Sequence, residues 1–279
     1  MTAFGATSRP CRPIIKALQL IVWPEPATYG TSSNMTCVTQ TRPPSIGLII
    51  PAYNEEDYLP ACLDAVMQNV AGKAVEIIVV DNNSTDGTRK VVERYPSVTY
   101  VFEPKKGITR ARQRGFLAST GDILAYVDAD TIPPAGWIEQ IWEQFGTNKD
   151  LACLSGPYSF YDLSGVRNAI STSWFFAARA LYAITRYLIV GGNFAICRDV
   201  LEKMGGFDSS IEFYGEDVDI ARRAKKYGKV LFSPRFVMPT SGRRMKKQGF
   251  AKIAGIYFAN FVSVVFRGKP ATKVYEDVR

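Results

Sequence analysis

The chain has no histidine among its 279 residues. That absence removes Ser-His-Asp hydrolysis, imidazole metal sites and imidazole acid–base catalysis together, and leaves proton transfer to carboxylates, Lys, Tyr or Cys. Cysteine is scarce and scattered: Cys11, Cys37, Cys62, Cys153 and Cys197 are odd in number and form no Cys-x-x-Cys. A zinc ribbon or a disulfide framework is therefore not expected; the pattern points to reduced thiols in an intracellular setting. Neither Gly-x-Gly-x-x-Gly nor Gly-x-x-x-x-Gly-Lys-Ser/Thr occurs, so the dinucleotide and P-loop fingerprints are missing. Long apolar runs are missing too. Residues 14–23 are too short to span a bilayer and contain Lys16 and Gln19, and residues 249–266 are slightly short and not cleanly apolar. Acidic residues nearly vanish from the C-terminal end: residues 221–279 hold 15 Lys and Arg against 2 Asp and Glu, whereas the first 220 residues hold 19 against 24. A basic tail on a mildly acidic body suggests an anionic partner.

What is present is an alternation of buried strands and amphipathic helices. Residues 46–50 (Ile-Gly-Leu-Ile-Ile) form a continuous apolar run, as in a strand covered on both faces. Leu59, Cys62, Leu63, Val66, Met67 and Val70 then follow at helical spacing, with Pro60 tolerated in the first turn. Strands are predicted over 75–80, 98–102 and 123–127. A helix carrying Val91 and Val92 is capped by Ser84 or Asp86, and a basic helix covers 108–119. Strand–helix alternation predicts an α/β fold with a parallel sheet and right-handed crossovers. The second half is less regular: a helix over 137–145, a strand over 151–154, a helix over 217–227 closed by Gly228 at C′, a strand over 230–232 and a long apolar helix over 249–266.

The strand over 123–127 runs into Asp128-Ala-Asp130. In extended backbone, residues i and i+2 point the same way, so both carboxylates can stand side by side at the carboxyl end of a strand, where open α/β sheets place ligands. Paired carboxylates repel unless a cation lies between them, and hard divalent ions such as Mg²⁺ and Mn²⁺ share their shell with substrate phosphates. The alternative is a strand ending in a polar turn, since Asp is common in turns.

Seven segments decide between these readings: Ile-Ile-Pro-Ala-Tyr-Asn-Glu-Glu (49–56), Val-Val-Asp-Asn-Asn-Ser-Thr-Asp-Gly-Thr (79–88), Lys-Gly-Ile-Thr-Arg-Ala-Arg (106–112), Val-Asp-Ala-Asp (127–130), Gly-Gly-Asn-Phe-Ala-Ile (191–196), Gly-Gly-Phe-Asp (205–208) and Gly-Glu-Asp-Val-Asp (215–219). In this order and spacing the chain resembles the family-2 inverting glycosyltransferases of the GT-A fold, over roughly residues 46–232. The resemblance implies a mostly parallel central sheet flanked by helices, Mn²⁺ or Mg²⁺ as cofactor, and a nucleoside-diphosphate sugar (UDP- or GDP-linked) as donor. It implies that Pro51, Ala52, Tyr53 and Glu55 line the nucleotide pocket and that Asp81 contacts base or ribose. Many members carry a second acid where this chain has Asn82, so the base is left open. Arg112 would lie near the diphosphate, with Ala129, Gly192 and Asn193 at the same site. Asp128 and Asp130 would be the metal pair, Asp130 the direct ligand. Asp217 matches the catalytic base, flanked by Glu216. A first-turn position would, through the helix dipole, lower the pKa of Asp217; acids there are also common simply because the dipole favours them by roughly 0.3–1 kcal/mol.

Residues 240–249 resemble a Ser-x-Arg-Arg segment of non-processive members, making Arg243 and Arg244 candidates for clamping the donor diphosphate through guanidinium forks. The chain thus divides into a disordered extension (1–44, with Met35 as an alternative start), a catalytic domain (45–240) and a basic, apolar C-terminal segment (241–279). That segment either packs on the core or lies on an anionic membrane face, where it would suit a lipid-linked acceptor in cell-envelope glycan or glycolipid synthesis. The expected location is cytoplasmic, including the cytoplasmic membrane face. A nucleotidyltransferase would need a Gly-rich, basic loop after the first strand, where Pro51-Ala-Tyr-Asn-Glu-Glu stands. A nucleic-acid binder is disfavoured because the basic tail interleaves apolar runs. A degenerate transferase domain serving as a scaffold is the remaining alternative.

Overall fold

The computed structural model describes residues 43–163, 185–211 and 215–249, with scattered positions at 182–183 and between 252 and 272. The extension expected over 1–44, apart from Pro43 and Pro44, most of residues 166–190 and most of the helix expected over 249–266 lie outside the described residues; of the last, Ile253, Asn260 and Ser263 are buried. Among the described residues no helix is long and apolar enough to cross a membrane.

The strand β1 (Ile46–Ala52) is buried at all seven positions, as its unbroken apolar run requires. It leads to α1 (Leu59–Val70), which has Pro in its first turn and buries Leu59, Cys62, Leu63, Val66 and Val70 along one face. Then follow β2 (Val75–Asp81), α2 (Thr88–Val92), β3 (Val98–Phe102), α3 (Ile108–Ala118), β4 (Ile123–Val127), α4 (Trp137–Thr147) and β5 (Leu151–Ser155). The short β6 (Tyr158–Phe160) precedes β7 (Asn193–Cys197) and α5 (Arg198–Lys203). The chain continues through α6 (Glu216–Ala224), β8 (Lys229–Phe232), β9 (Met238–Thr240) and α7 (Arg243–Gln248).

Seven strands form one sheet in the order β3-β2-β1-β4-β7-β5-β8. The β1–β2, β1–β4, β2–β3 and β5–β8 pairs are parallel. β7 runs antiparallel to both its neighbours, β4 and β5. The parallel, helix-connected first half is the one predicted; the reversed strand in the second half was not. Its consequence is positional, because the start of β7 lies at the edge where β4 and β5 end: Asn193 pairs with Val127, and Phe194 with Ser155. A second, two-stranded sheet pairs β6 with β9, and a bridge from Thr131 to Thr240 ties it to the loop after β4.

Two expectations are corrected. The helix over 217–227 begins one residue earlier and ends at Ala224, where the Lys225 amide donates to the Ala221 carbonyl. Gly228 is therefore not its C′ residue; it packs so closely on the Asp150 carbonyl that a Cβ there would lie 2.5 Å from the oxygen. Cys62 and Cys153 are free and buried, as expected, but Cys197 is disulfide-bonded.

Candidate active site

The carboxyl ends of β1, β2 and β4 and the start of β7 converge at one sheet edge. β4 delivers Asp128 directly. Its side chain accepts from the Tyr158 hydroxyl at 3.0 Å and lies 3.5 Å from Nη2 of Arg112. Gly192, entering β7, backs onto this carboxylate so tightly that a Cβ would stand 2.1 Å from Asp128 Oδ2 and 2.2 Å from the Tyr158 oxygen. The turn after β4 is held by Thr131, whose hydroxyl donates to the Asp128 carbonyl at 2.7 Å.

Arg112 projects from α3 and is buried, 2% exposed. Nη1 pairs with Glu216 at 3.1 Å, and Nη2 donates to the Gly191 carbonyl at 2.7 Å while facing Asp128. One guanidinium thus ties Asp128, after β4, to the start of α6 and to the turn before β7. Its own proton is held more firmly than usual, because the Glu216 and Asp128 charges outweigh its burial. At this depth an arginine is set to join protein groups to one another.

Gly215 enters α6 with φ +85°, so Glu216 and Asp217 occupy the first turn. The Asp217 carboxylate accepts from the Val218 amide at 2.8 Å. Helix position and the Arg112 charge both favour ionised Asp217, yet burial prevails and lifts its pKa above the ordinary aspartate range. The expectation that the dipole would make it a weak base is thereby reversed. Glu216 is lifted further, by burial first and by the adjacent Asp217 charge second, with Arg112 opposing. The next acid on the helix plays a different part. Asp219 pairs with Arg223 at 2.6 Å, and Arg223 donates to the Gly206 carbonyl at 2.7 Å. This fixes the Gly205-Gly206-Phe207-Asp208 turn against α6.

Asp130 faces the opposite flank. Its Oδ2 lies 3.0 Å from Nε of Arg243, whose Nη2 also pairs with Glu55. The same guanidinium lies 4.5 Å from the centre of the Tyr58 ring. Arg243 starts α7, and Asp162 holds that start, accepting from the Gly242 amide at 2.6 Å, the Ser241 hydroxyl at 2.9 Å and Lys246 at 3.0 Å. Arg244 follows on α7 and is half-buried. Glu55 is itself anchored, its amide donating to the Thr88 hydroxyl at 2.8 Å.

Three sequence candidates turn inward. The amide of Asn193 donates to the Gly156 and Phe236 carbonyls, at 3.1 and 2.7 Å, and accepts from the Trp137 indole at 3.1 Å, bracing the core. The Asn82 side chain is bonded to the loop after β3. Asp81 accepts from the Ser84 amide at 2.9 Å and the Tyr100 hydroxyl at 2.8 Å, and burial together with Asp81 pushes the Tyr100 phenol up to about 12. Pro51, Ala52 and Ala129 are buried where their strands end, and Tyr53 is half-buried beside them. Sequence reasoning missed Tyr158 and Asp162. No local pattern marks either one; each acquires its partner from a segment 30 or 80 residues away.

Among the described residues no three Cys, Asp or Glu side chains cluster as a self-sufficient metal site. Asp128 and Asp130 offer two hard carboxylates. The nearby Cys62 thiol contacts the Asp128 carbonyl, and burial pushes it up to about 12, so it supplies no competing soft thiolate. One or two carboxylates, completed by water and phosphate oxygens, is the donor set that Mg²⁺-like ions accept. The residues fit such an ion.

The family model for glycosyl transferase family 2 matches residues 48–205. Glycosyltransferase AglE of Haloferax volcanii is 30% identical over 194 residues, covering 66% of this chain and 62% of AglE. Probable glycosyltransferase YdaM of Bacillus subtilis is 27% identical over 201 residues, covering 66% of this chain and 47% of YdaM. The chain therefore spans less than two thirds of either relative. Among solved structures, mannosyltransferase PcManGT from Pyrobaculum calidifontis, in complex with GDP-Man and Mn²⁺, superposes with a TM-score of 0.64 at 22% identity, covering 82% of this chain and 66% of that one. Glucosyl-3-phosphoglycerate synthase from Mycobacterium tuberculosis, in complex with Mn²⁺, UDP and phosphoglyceric acid, gives 0.59 at 18% identity, covering 82% and 80%. These likenesses establish a shared GT-A fold.

Proposed function

The chain belongs to glycosyl transferase family 2, and on that premise we propose that it transfers a sugar from a nucleoside-diphosphate sugar to an acceptor hydroxyl or phosphate with inversion at the anomeric carbon. One observation carries this reading: a buried guanidinium, Arg112, joins the carboxylate after β4 to the acidic first turn of α6. Donor-side and acceptor-side groups are thereby held in one rigid unit.

Asp217 is the base. It takes the acceptor's proton as the acceptor oxygen attacks the anomeric carbon, and its raised pKa suits that role better than an ordinary aspartate would. Glu216 and Arg112 position it from the protein side. Asp128 and Asp130 would hold a divalent cation, Mn²⁺ or Mg²⁺, which when bound neutralises charge on the departing nucleoside diphosphate. Pro51, Tyr53, Glu55 and Asp81 border the nucleotide, while Arg243 and Arg244 face the diphosphate. The donor is a UDP- or GDP-sugar, in keeping with the GDP-Man and the UDP bound in the two structural relatives. A lipid-linked acceptor and contact with a cytoplasmic membrane face rest on the basic C-terminal segment alone.

The test is thermal stabilisation by UDP, GDP, CDP and dTDP, each with and without Mn²⁺. A ligand at 100 times its Kd stabilises by about 2.7 kcal/mol. Metal-dependent stabilisation by one nucleotide, abolished in Asp130→Ala, is expected and identifies the base. No stabilisation under any condition would leave a fold without donor chemistry and favour the scaffold reading.

A further inference from the structure

Residue 82 is where this sequence departs from the family pattern, and its surroundings account for the amide. The Asn82 backbone N–H donates to the Ala52 carbonyl at 2.8 Å, linking the ends of β1 and β2. Its side chain then reaches across to the loop between β3 and α3. Nδ2 donates to the carbonyls of Glu103 at 3.2 Å and Lys105 at 2.8 Å, and Oδ1 accepts from the Gly107 amide at 2.8 Å. The residue is 6% exposed, and every polar atom of the side chain is bonded to loop backbone. An amide has two donors and an acceptor to match these three groups. A carboxylate would keep the Gly107 bond but set negative oxygens against two carbonyls with nothing to donate. Gly107 itself sits at φ +138°, a conformation that L side chains rarely adopt.

The loop so stapled carries Lys106 between its two anchored neighbours. Lys106 is exposed, donates its ammonium to the Tyr53 hydroxyl and lies 4.2 Å from the centre of that ring. Tyr53 follows directly on β1, at the sheet edge where the nucleotide is placed. We propose that Asn82 is a positioning residue for the donor: it acts by fixing loop 103–107, and with it Lys106 on Tyr53, and the base is not read at position 82. This rests on the reading of Tyr53 as a wall of the nucleotide pocket.

The experiment is a double-mutant cycle. The Kd for UDP and for GDP, with Mn²⁺, is measured by calorimetry for wild type, Asn82→Ala, Lys106→Ala and the double variant, alongside donor KM, kcat and the melting temperature. Asn82→Ala is expected to weaken the preferred nucleotide roughly tenfold, the scale of one or two lost loop hydrogen bonds, to raise donor KM and to leave kcat unchanged. In the Lys106→Ala background the same change should cost almost nothing. Asn82→Asp should lose affinity for both nucleotides and keep their ratio. If Asn82→Ala is too unstable to titrate, Asn82→Ser, which keeps one side-chain oxygen, carries the same expectations at smaller size. Additive losses in the cycle, no loss at all, or a changed UDP-to-GDP ratio in Asn82→Asp would each overturn the proposal while leaving the donor site standing. Wild-type protein that binds neither nucleotide overturns the donor reading and this one with it.

Discussion

Replacing Arg112 with Met removes a charge that three groups share. Glu216, 3.1 Å away and 12% exposed, loses its counter-ion, and the Gly191 carbonyl loses a donor at 2.7 Å. Met fills comparable space, so the loss is chiefly electrostatic. Breaking one side of a buried ion pair typically costs about 3–5 kcal/mol, because the remaining charge is uncompensated. For a domain of this size each kcal/mol lowers the melting temperature by about 2–4 °C, so a fall of roughly 10 °C is expected. The loss also has a sign in pH. Glu216 already titrates above its unfolded value of roughly 4.3. A raised carboxylate pKa contributes stability fully below the unfolded pKa, and that contribution disappears as pH rises through the folded one. Arg112 limits the shift, so its removal enlarges it. Melting wild type and Arg112→Met at pH 5 and pH 8 should therefore show a gap that widens with pH. Adding Glu216→Gln to Arg112→Met should recover most of the loss at pH 8. A gap independent of pH, or a double variant worse than the sum of its parts, would refute the account of Arg112 as the counter-ion of Glu216.

Asp217→Asn should lower kcat by about 10²–10⁴, the range for loss of a positioned base, while the nucleoside-diphosphate Kd stays unchanged. Because burial raises Asp217 and the base must be ionised, the wild-type rate should climb with pH along a limb lying above the ordinary aspartate range; a pH–kcat/KM profile with its limb near pH 4 would contradict this. Arg243→Ala frees Asp130 from its counter-ion, so Mn²⁺ titrated into nucleotide-free protein should bind roughly tenfold tighter, the scale on which one adjacent charge shifts a carboxylate. The same variant should bind the nucleoside diphosphate more weakly, and unchanged Mn²⁺ affinity by paramagnetic resonance would show that Arg243 and the metal do not compete.

Much of the fold was legible because its signals are local. Runs such as 46–50 and 123–127 have no polar residue to turn toward water, so they must be central strands. Parallel connection then places every strand-end loop at one edge. Asp128 and Asp130 could be named from position in such a pattern, whereas Glu216 and Asp217 were named only through the resemblance to the family. β6 and β9 escaped notice because three residues are too few to show a period. The reversal of β7 was also hidden, since a buried strand reads alike in either direction. Arg243, just past the boundary drawn at 240, is brought back to Glu55 by an Asp162 anchor lying 80 residues upstream in sequence.

The sequence by itself determined which strands of the central sheet are buried and that Asp128 and Asp130 stand just past the end of one of them, because burial pattern and strand ends depend on neighbours along the chain. Only the tertiary structure decided what each of those side chains does. It set Gly192 against Asp128 by reversing β7, and it turned Asn82 and Asn193 from pocket candidates into braces by surrounding them with carbonyls. It also raised Asp217 despite its place at a helix start. Each of those outcomes depends on desolvation and on partners from distant segments, and neither is encoded in the spacing of residues along one strand or helix.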